Sequence, residues 1–363
     1  MPRDLKQIAF ILEEFAVPSP AQQLLDRFLL GYPRDGRFYQ PEDCQVTAYL
    51  APGASDVELK RRMGDFGLKL AASVDEAVAK ADATVVVWRG AGATADDRTL
   101  RLVLEKARAG TACFVRGNLA SGMNAARAVM ELAGSRKIDI LAGGSLGVTW
   151  RLPEIEMPAQ VVLKEALIVV QGAAPEAEFE GLDGLFPFIE GRRGGETGVR
   201  RIGCLAGADV WQAGKDREWS WPLLAAAISR SDSPQGDPEK DGRTQDLAGL
   251  GLVPKLAHAP RAWLLEHNDG LRSSILVLDG VVADANVAIR TDKGDVFSTQ
   301  LYRPPPPGQH EFSRLAERAE AFFRSGRAPW PVTRGGLIAG LLEARGAALK
   351  AAGKWVRLPK RAF

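Results

Sequence analysis

Ile8-Ala9-Phe10-Ile11-Leu12-Glu13-Glu14-Phe15-Ala16-Val17-Pro18-Ser19-Pro20 is the stretch that decides how this chain is read. Residues 8–12 form a short apolar run of the kind found in a buried strand. Ser19 followed by Pro20 predicts a helix start, with Ser19 as N-cap and Pro20 at the first helical position. A strand, a tight turn and a helix in that order open a dinucleotide-binding unit. The turn, however, carries two carboxylates and no glycine. A pyrophosphate needs close backbone approach and is repelled by negative charge. The layout therefore points to a nucleotide-dependent fold, and the turn points away from the nucleotide.

Working outward, strands are expected at 46–50, 84–88, 112–115 and 138–142. Helices are expected over 20–30, from Ser73 through Lys80, from Thr94 through Ala109, and from Ser121 through Ala133. This alternation predicts an α/β, Rossmann-like, doubly wound parallel sheet over residues 1–150. Ligands of such sheets bind beyond the carboxyl ends of the strands. Glu13-Glu14, Arg89-Gly90, Arg116-Gly117-Asn118 and Gly143-Gly144-Ser145 fall there. Ser19, Arg89 and Asn118 are the candidate cofactor contacts. The second strand ends in Ala51-Pro52, without the acid that would hold ribose hydroxyls.

After Trp150 the pattern changes. Longer, more alternating runs at 160–171, 199–206, 261–267, 272–279, 284–291 and 295–302 predict an α+β domain over 151–363. Its sheet is expected to be mostly antiparallel and open-faced, with hairpin turns at 267–270 and 292–295. Helices are expected at about 179–192, 218–230, 311–325 and 334–350. The last two are candidates to pack back on the first domain. Segment 231–249, rich in Gly, Ser, Pro and Asp, reads as a flexible loop.

Composition narrows the function classes. The chain has 363 residues, 46% hydrophobic and 25% charged, with a net charge of +2. That length suits two domains, and that charge balance argues against a nucleic-acid or membrane surface. Cys44, Cys113 and Cys204 are scattered and odd in number, so a reducing, cytoplasmic setting is expected. His258, His267 and His310 are too dispersed for a metal site and read as surface or capping residues.

Three segments could carry chemistry. Thr149, Trp150 and Arg151 leave the last parallel strand and enter the second domain; they are candidate substrate contacts or a hinge. Glu180 and Asp183 lie three apart on one helical face. They suit acid–base work or polyol binding, or are solvated helix charges. Arg192 and Arg193, beside Gly194-Gly195, could clamp a carboxylate or phosphate, or form a charged turn.

The chain resembles the Gfo/Idh/MocA family of glucose–fructose oxidoreductases and inositol dehydrogenases, over nearly its whole length. The resemblance rests on Leu29-Leu30-Gly31-Tyr32-Pro33, on Gly144 through Glu154 and on Arg192 through Val199. It also rests on Glu266 through Leu271, Thr299-Gln300 and Gly326 through Val332. It implies an interdomain cleft that takes a small polyol, sugar or sugar acid, NAD(P)-dependent redox chemistry, and oligomers formed through the sheet. Within the family, the chain resembles a degenerate member of a little-characterised branch. Where that branch has histidines, this chain has Ser19-Pro20-Ala21, Trp88-Arg89-Gly90, Arg116-Gly117-Asn118 and Phe179-Glu180-Gly181. The family's lysine-proline signature would fall at Gly117-Asn118. The alternative reading is a catalytically inactive paralogue that acts as a binding or partner subunit.

Overall fold

The apolar runs of the first 150 residues become strands of one parallel sheet. The computed structural model describes residues 5–41, 44–89, 97–158, 160–233, 245–351 and 353–358. Two compact units result: residues 1–148 with 304–340, and residues 149–303 with 341–363. The expected Thr94 cap, Gly90 and positions 234–244 of the expected loop lie outside the described residues.

The first unit runs β1 (Gln7–Leu12), α1 (Pro20–Leu30), β2 (Tyr32–Arg34), β3 (Arg37–Tyr39), β4 (Gln45–Leu50), α2 (Val57–Phe66) and β5 (Lys69–Leu70). It continues α3 (Val74–Val78), β6 (Ala83–Val87), α4 (Asp97–Lys106), β7 (Ala112–Arg116), α5 (Met123–Arg136) and β8 (Asp139–Gly143). The sheet order is β5-β4-β1-β6-β7-β8, with every pairing parallel. Strand order therefore reverses between β1 and β6, the switch point where such sheets leave a crevice. Apolar side chains fill both faces. Phe10, Val85 and Phe114 share one core cluster, while Ile11, Val86 and Val115 share another.

Local chemistry explains the element ends. The Ser19 hydroxyl accepts from the Gln22 amide at 3.2 Å, capping α1 with Pro20 in its first turn. Ser73 caps α3 by accepting from the Glu76 amide at 3.2 Å. Two expectations need correction. Ser121 does not cap α5; its hydroxyl donates to Asp97 instead. Gly134 does not end that helix, which runs to Arg136 and stops at Lys137 in the left-handed region, at φ 56°.

The second unit comprises β9 (Trp150–Leu152), β10 (Leu163–Val170), α6 (Glu176–Ile189), β11 (Val199–Ala206), α7 (Ala208–Lys215), α8 (Trp221–Ile228) and α9 (Val253–Leu256). Then come β12 (His258–His267), β13 (Arg272–Asp279), β14 (Ala285–Thr291) and β15 (Val296–Tyr302). The chain re-enters the first unit with α10 (Glu311–Ser325). It passes through α11 (Val332–Lys350), whose last turns belong to the second unit, and ends at β16 (Val356–Arg357). The eight-stranded order is β16-β11-β12-β13-β10-β14-β15-β9. Only β10–β13 is a parallel pair; the others are antiparallel.

Both faces of this sheet carry helices. Leu167, Leu264 and Leu276 pack with Val210, Leu223 and Leu224 of α7 and α8. Side chains alternate along a strand, so Ile275 points to the other face. There it meets Gly181 of α6, where an added Cβ would stand 2.4 Å from the Ile275 Cγ2. In the first unit, Arg27 anchors α1 to the chain around α10. Its guanidinium bonds Ser313 Oγ at 3.0 Å and the Gly308 and Gln309 carbonyls at 2.8 and 2.9 Å. Burial pulls its pKa down to about 10.

Gly181 supplies the close approach that seats α6. Gly181→Ala should destabilise the protein by about 1–3 kcal/mol through overpacking against the stiff, β-branched Ile275. Urea unfolding followed by far-UV circular dichroism measures this, and an unchanged midpoint would refute the close-packing account.

Candidate functional site

At the switch point of the first unit, the turn after β1 is closed by its own charges. The Glu13 carboxylate accepts the backbone N–H of Arg89 at 2.7 Å. The Arg89 guanidinium reaches Glu14 at 3.0 Å. The Glu13 N–H donates to the Val87 carbonyl at 3.3 Å. Residues following β1 and β6 are thus clasped together across the point where strand order reverses. Ser19 spends its hydroxyl on the α1 cap. Asn118 is buried, and its amide donates to the Ala120 carbonyl at 2.5 Å. Its Oδ1 has no hydrogen-bond partner among the described residues. After β4, Ala51 offers no carboxylate and its N–H donates to the Leu12 carbonyl at 2.8 Å. The three candidate cofactor contacts are therefore a helix cap, a partner of two glutamates and a buried loop amide. This donor set does not fit a dinucleotide. Phosphates at the crevice would face Glu13 and Glu14, and no ribose acid follows the second long strand.

In the second unit, the end of α6, the loop after it and the β12–β13 turn converge on Arg192. Its side chain is 1% exposed. The guanidinium meets Asp269 at 2.6 Å, Glu196 at 3.0 Å and Thr197 Oγ1 at 3.2 Å, and donates to the Ile189 carbonyl at 2.8 Å. A buried guanidinium is tolerated only when its forked donors are met this way. His267 completes the cluster, with Nδ1 3.3 Å from Glu196 and Nε2 2.8 Å from Ser273 Oγ. Burial raises the Glu196 pKa, but contacts with His267 and Arg192 outweigh burial and bring it to about 2. Asp269 is held below the usual carboxylate range: burial opposes this, and Arg192 overcomes it. The surface reading of His267 is corrected here. It is 1% exposed because the turn folds its ring under Arg192. Arg193 diverges from its neighbour; it is exposed, its guanidinium donates to the Gln160 carbonyl at 3.3 Å and its backbone N–H donates to the Val161 carbonyl at 2.9 Å.

Next to this network lies a cavity of about 310 Å³, lined by Arg151, Glu156, Met157, Val161 and Phe188 and reaching Arg192. The Arg151 guanidinium stands 4.2 Å from the centre of the Phe188 ring and donates to the Ile155 carbonyl at 3.0 Å. Burial lowers its pKa against the pull of Glu154 and Glu156. A half-buried cation on an aromatic ring, with most of its donors uncommitted among the described residues, suits a small carboxylate. Thr149 and Trp150 do not line this cavity. Thr149 donates to the Tyr302 carbonyl at 2.5 Å, and Trp150 is 36% exposed on the edge strand β9.

The α6 carboxylates separate by environment. Glu180 pairs with Arg303 at 2.5 Å. Asp183 is 1% exposed. Sequence reading passed over Glu178 on the same helix. It is 1% exposed, 2.5 Å from Arg345 and 3.6 Å from Arg261. Its cue lay in the helical register, since a period of 3.6 turns it toward the sheet. Among the described residues, no group of three or more His, Cys, Asp or Glu could hold a metal ion, and no helix is long and apolar enough to cross a membrane.

Solved structures that share this architecture include several dehydrogenases. One such structure is GenD2 from gentamicin A biosynthesis in complex with NAD, at 12% identity and TM-score 0.62, covering 99% of this chain and 98% of that one. Another is myo-inositol dehydrogenase from Lactobacillus casei in complex with NAD(H) and myo-inositol, at 13% identity and TM-score 0.57, covering 98% and 97%. A third is a myo-inositol dehydrogenase from Corynebacterium glutamicum, at 14% identity and TM-score 0.57, covering 98% and 99%. No family model and no curated protein sequence matches the chain. The chain has the two-part fold of the Gfo/Idh/MocA oxidoreductases.

The Glu196 contacts set a pH dependence. Its folded pKa lies below the ordinary 4.5, so the stabilisation is complete above pH 4.5 and is lost as pH falls toward 2. Its side chain is 23% exposed, so solvent screening limits the effect to about 2 kcal/mol. Glu196→Gln should therefore narrow its stability gap to the unmodified protein as pH falls through that window, read by urea titrations at several pH values. A gap independent of pH would remove the charge explanation.

Proposed function

We propose that this chain binds a small sugar acid, or a related polyol or sugar, and has given up nicotinamide redox chemistry. The Glu13/Glu14–Arg89 clasp carries this reading. The fold is shared with proteins that hold NAD, one of them with myo-inositol as well. Here the switch-point crevice carries carboxylates fastened to a neighbouring strand end. The second unit supports the other half of the reading. Arg151, on the Phe188 ring and beside Glu156, offers a cation for a carboxylate and a carboxylate for hydroxyls, in a cavity of about 310 Å³. That volume is at the lower end of small-molecule sites, which run from roughly 300 Å³ upward, and suits a single sugar ring.

In this reading Glu180 and Asp183 hold α6 in place instead of moving protons, because one is paired with Arg303 and the other is buried. Arg192 is a positioning residue. Its guanidinium is consumed by Asp269 and Glu196, and it fixes the α6 end on which Phe188 sits.

Isothermal titration of the full chain tests both halves. NADH and NADPH should give no heat up to about 1 mM, whereas gluconate or glucuronate should bind more tightly than glucose or myo-inositol. Arg151→Ala should weaken sugar-acid binding about tenfold or more, the loss of one charge-assisted contact. Micromolar binding of NADH would overturn the first half. Silence across the acid panel, or an unaffected Arg151→Ala protein, would overturn the second.

A further inference from the structure

On the sheet face opposite α6, the chain builds a second cleft, of about 650 Å³, walled by α7, the start of α8 and the ends of β10, β13 and β14. Its lining is unlike that of the Arg151 cavity. Four cations, Lys215, Arg217, Arg272 and Arg290, border it with one carboxylate, Glu165. That carboxylate is already shared: Arg272 pairs with one of its oxygens, and Arg290 with the other at 3.0 Å. Arg272 also donates to the Arg217 carbonyl at 3.0 Å, which ties the α7–α8 connection to the sheet. Lys215 and the Arg217 guanidinium have no ion-pair or side-chain hydrogen-bond partner among the described residues. The cleft therefore holds an excess of positive charge beside a fixed pair of arginines.

The remaining wall is aromatic. Trp219 and Trp221 line the cleft, their ring centres 4.6 Å apart, and Trp211 stacks on Trp221 at 6.0 Å. The indole N–H of Trp219 donates to the Val210 carbonyl at 2.8 Å. A glycine makes this wall possible. A Cβ at Gly214 would stand 2.5 Å from the Trp219 ring and 2.7 Å from the Trp221 indole nitrogen. The rings are thus fixed before any ligand arrives, with Trp221 half-buried at the opening. An aromatic wall suits the apolar face of a sugar ring, and clustered arginine and lysine suit a phosphate. The volume falls within the roughly 300–1,000 Å³ of small-ligand sites.

We infer that this cleft binds a phosphorylated sugar, with the ring against Trp221 and the phosphate toward Lys215 and Arg217. The site is separate from the Arg151 cavity and does not rest on the function proposed for it. It is tested on the full chain by tryptophan fluorescence and calorimetry. The probes are inorganic phosphate, a panel of hexose and pentose phosphates, and the unphosphorylated parent sugars. At least one sugar phosphate should bind below about 1 mM, and more tightly than both its parent sugar and inorganic phosphate. The exposed pair Lys215→Ala/Arg217→Ala should weaken that binding about tenfold or more and leave the melting temperature unchanged. Trp221→Phe should remove most of the fluorescence response, and Arg151→Ala should leave the binding unaltered. The inference fails if no sugar phosphate binds, if the double variant binds as the unmodified protein does, or if Arg151→Ala abolishes the signal. Equal affinity for inorganic phosphate would overturn the sugar component.

Discussion

A guanidinium out of contact with water must have its donors met by protein, and much of the second unit is arranged around that demand at Arg192. Its partners come from the last turn of α6, the loop leading into β11 and the turn between β12 and β13. The end of α6 and the loop that follows it are thereby tied to a turn 77 residues further along the chain. The end of α6 then presents Phe188 beneath Arg151. Removing one partner from such a cluster strands a buried charge, which is why pairs of this kind are costly to break even where their net contribution is small.

Electrostatics in the first unit work in the opposite sense. At the end of its central strands, a Rossmann-like sheet normally presents bare amide groups and a helix N-terminus, which together favour an anion. Here Glu13 takes up the Arg89 amide and Glu14 takes up its side chain. Negative charge that a ligand would have brought is supplied by the chain. The parallel sheet does not depend on the turn, because its stability comes from apolar side chains on both faces. Fold and cofactor chemistry can therefore part company at a few residues.

The fold was legible because the strands of its first unit are short, nearly continuous apolar runs and those of its second are longer and more alternating. Segments 199–206 and 272–279 match β11 and β13 residue for residue, and the helix expected at 311–325 matches α10. What escaped is equally specific. The β2–β3 hairpin turns at Asp35-Gly36, both at positive φ, and Asp-Gly is a strong hairpin signal that could have found it. The brief helix α7 spans only eight residues, too few to be stable by itself. It is held by Val210 and Ala213 packing on the sheet, a tertiary effect invisible locally. At the site, Arg192 and His267 stood out in separate segments, but a contact across 75 residues needs the β11–β12–β13 pairing before it can be seen. Arg89 was placed at the right end of the sheet; its role as the glutamates' partner depended on the register of β1 against β6.

The coverage of the second sheet by α7 and α8 has a consequence for mass action. An apolar sheet face left bare is completed by a neighbour, and such a protein becomes less stable as it is diluted. Here Leu167, Leu264 and Leu276 are buried by helices of the same chain. That core is closed by side chains of a single chain, so no neighbour is needed to cover these three leucines.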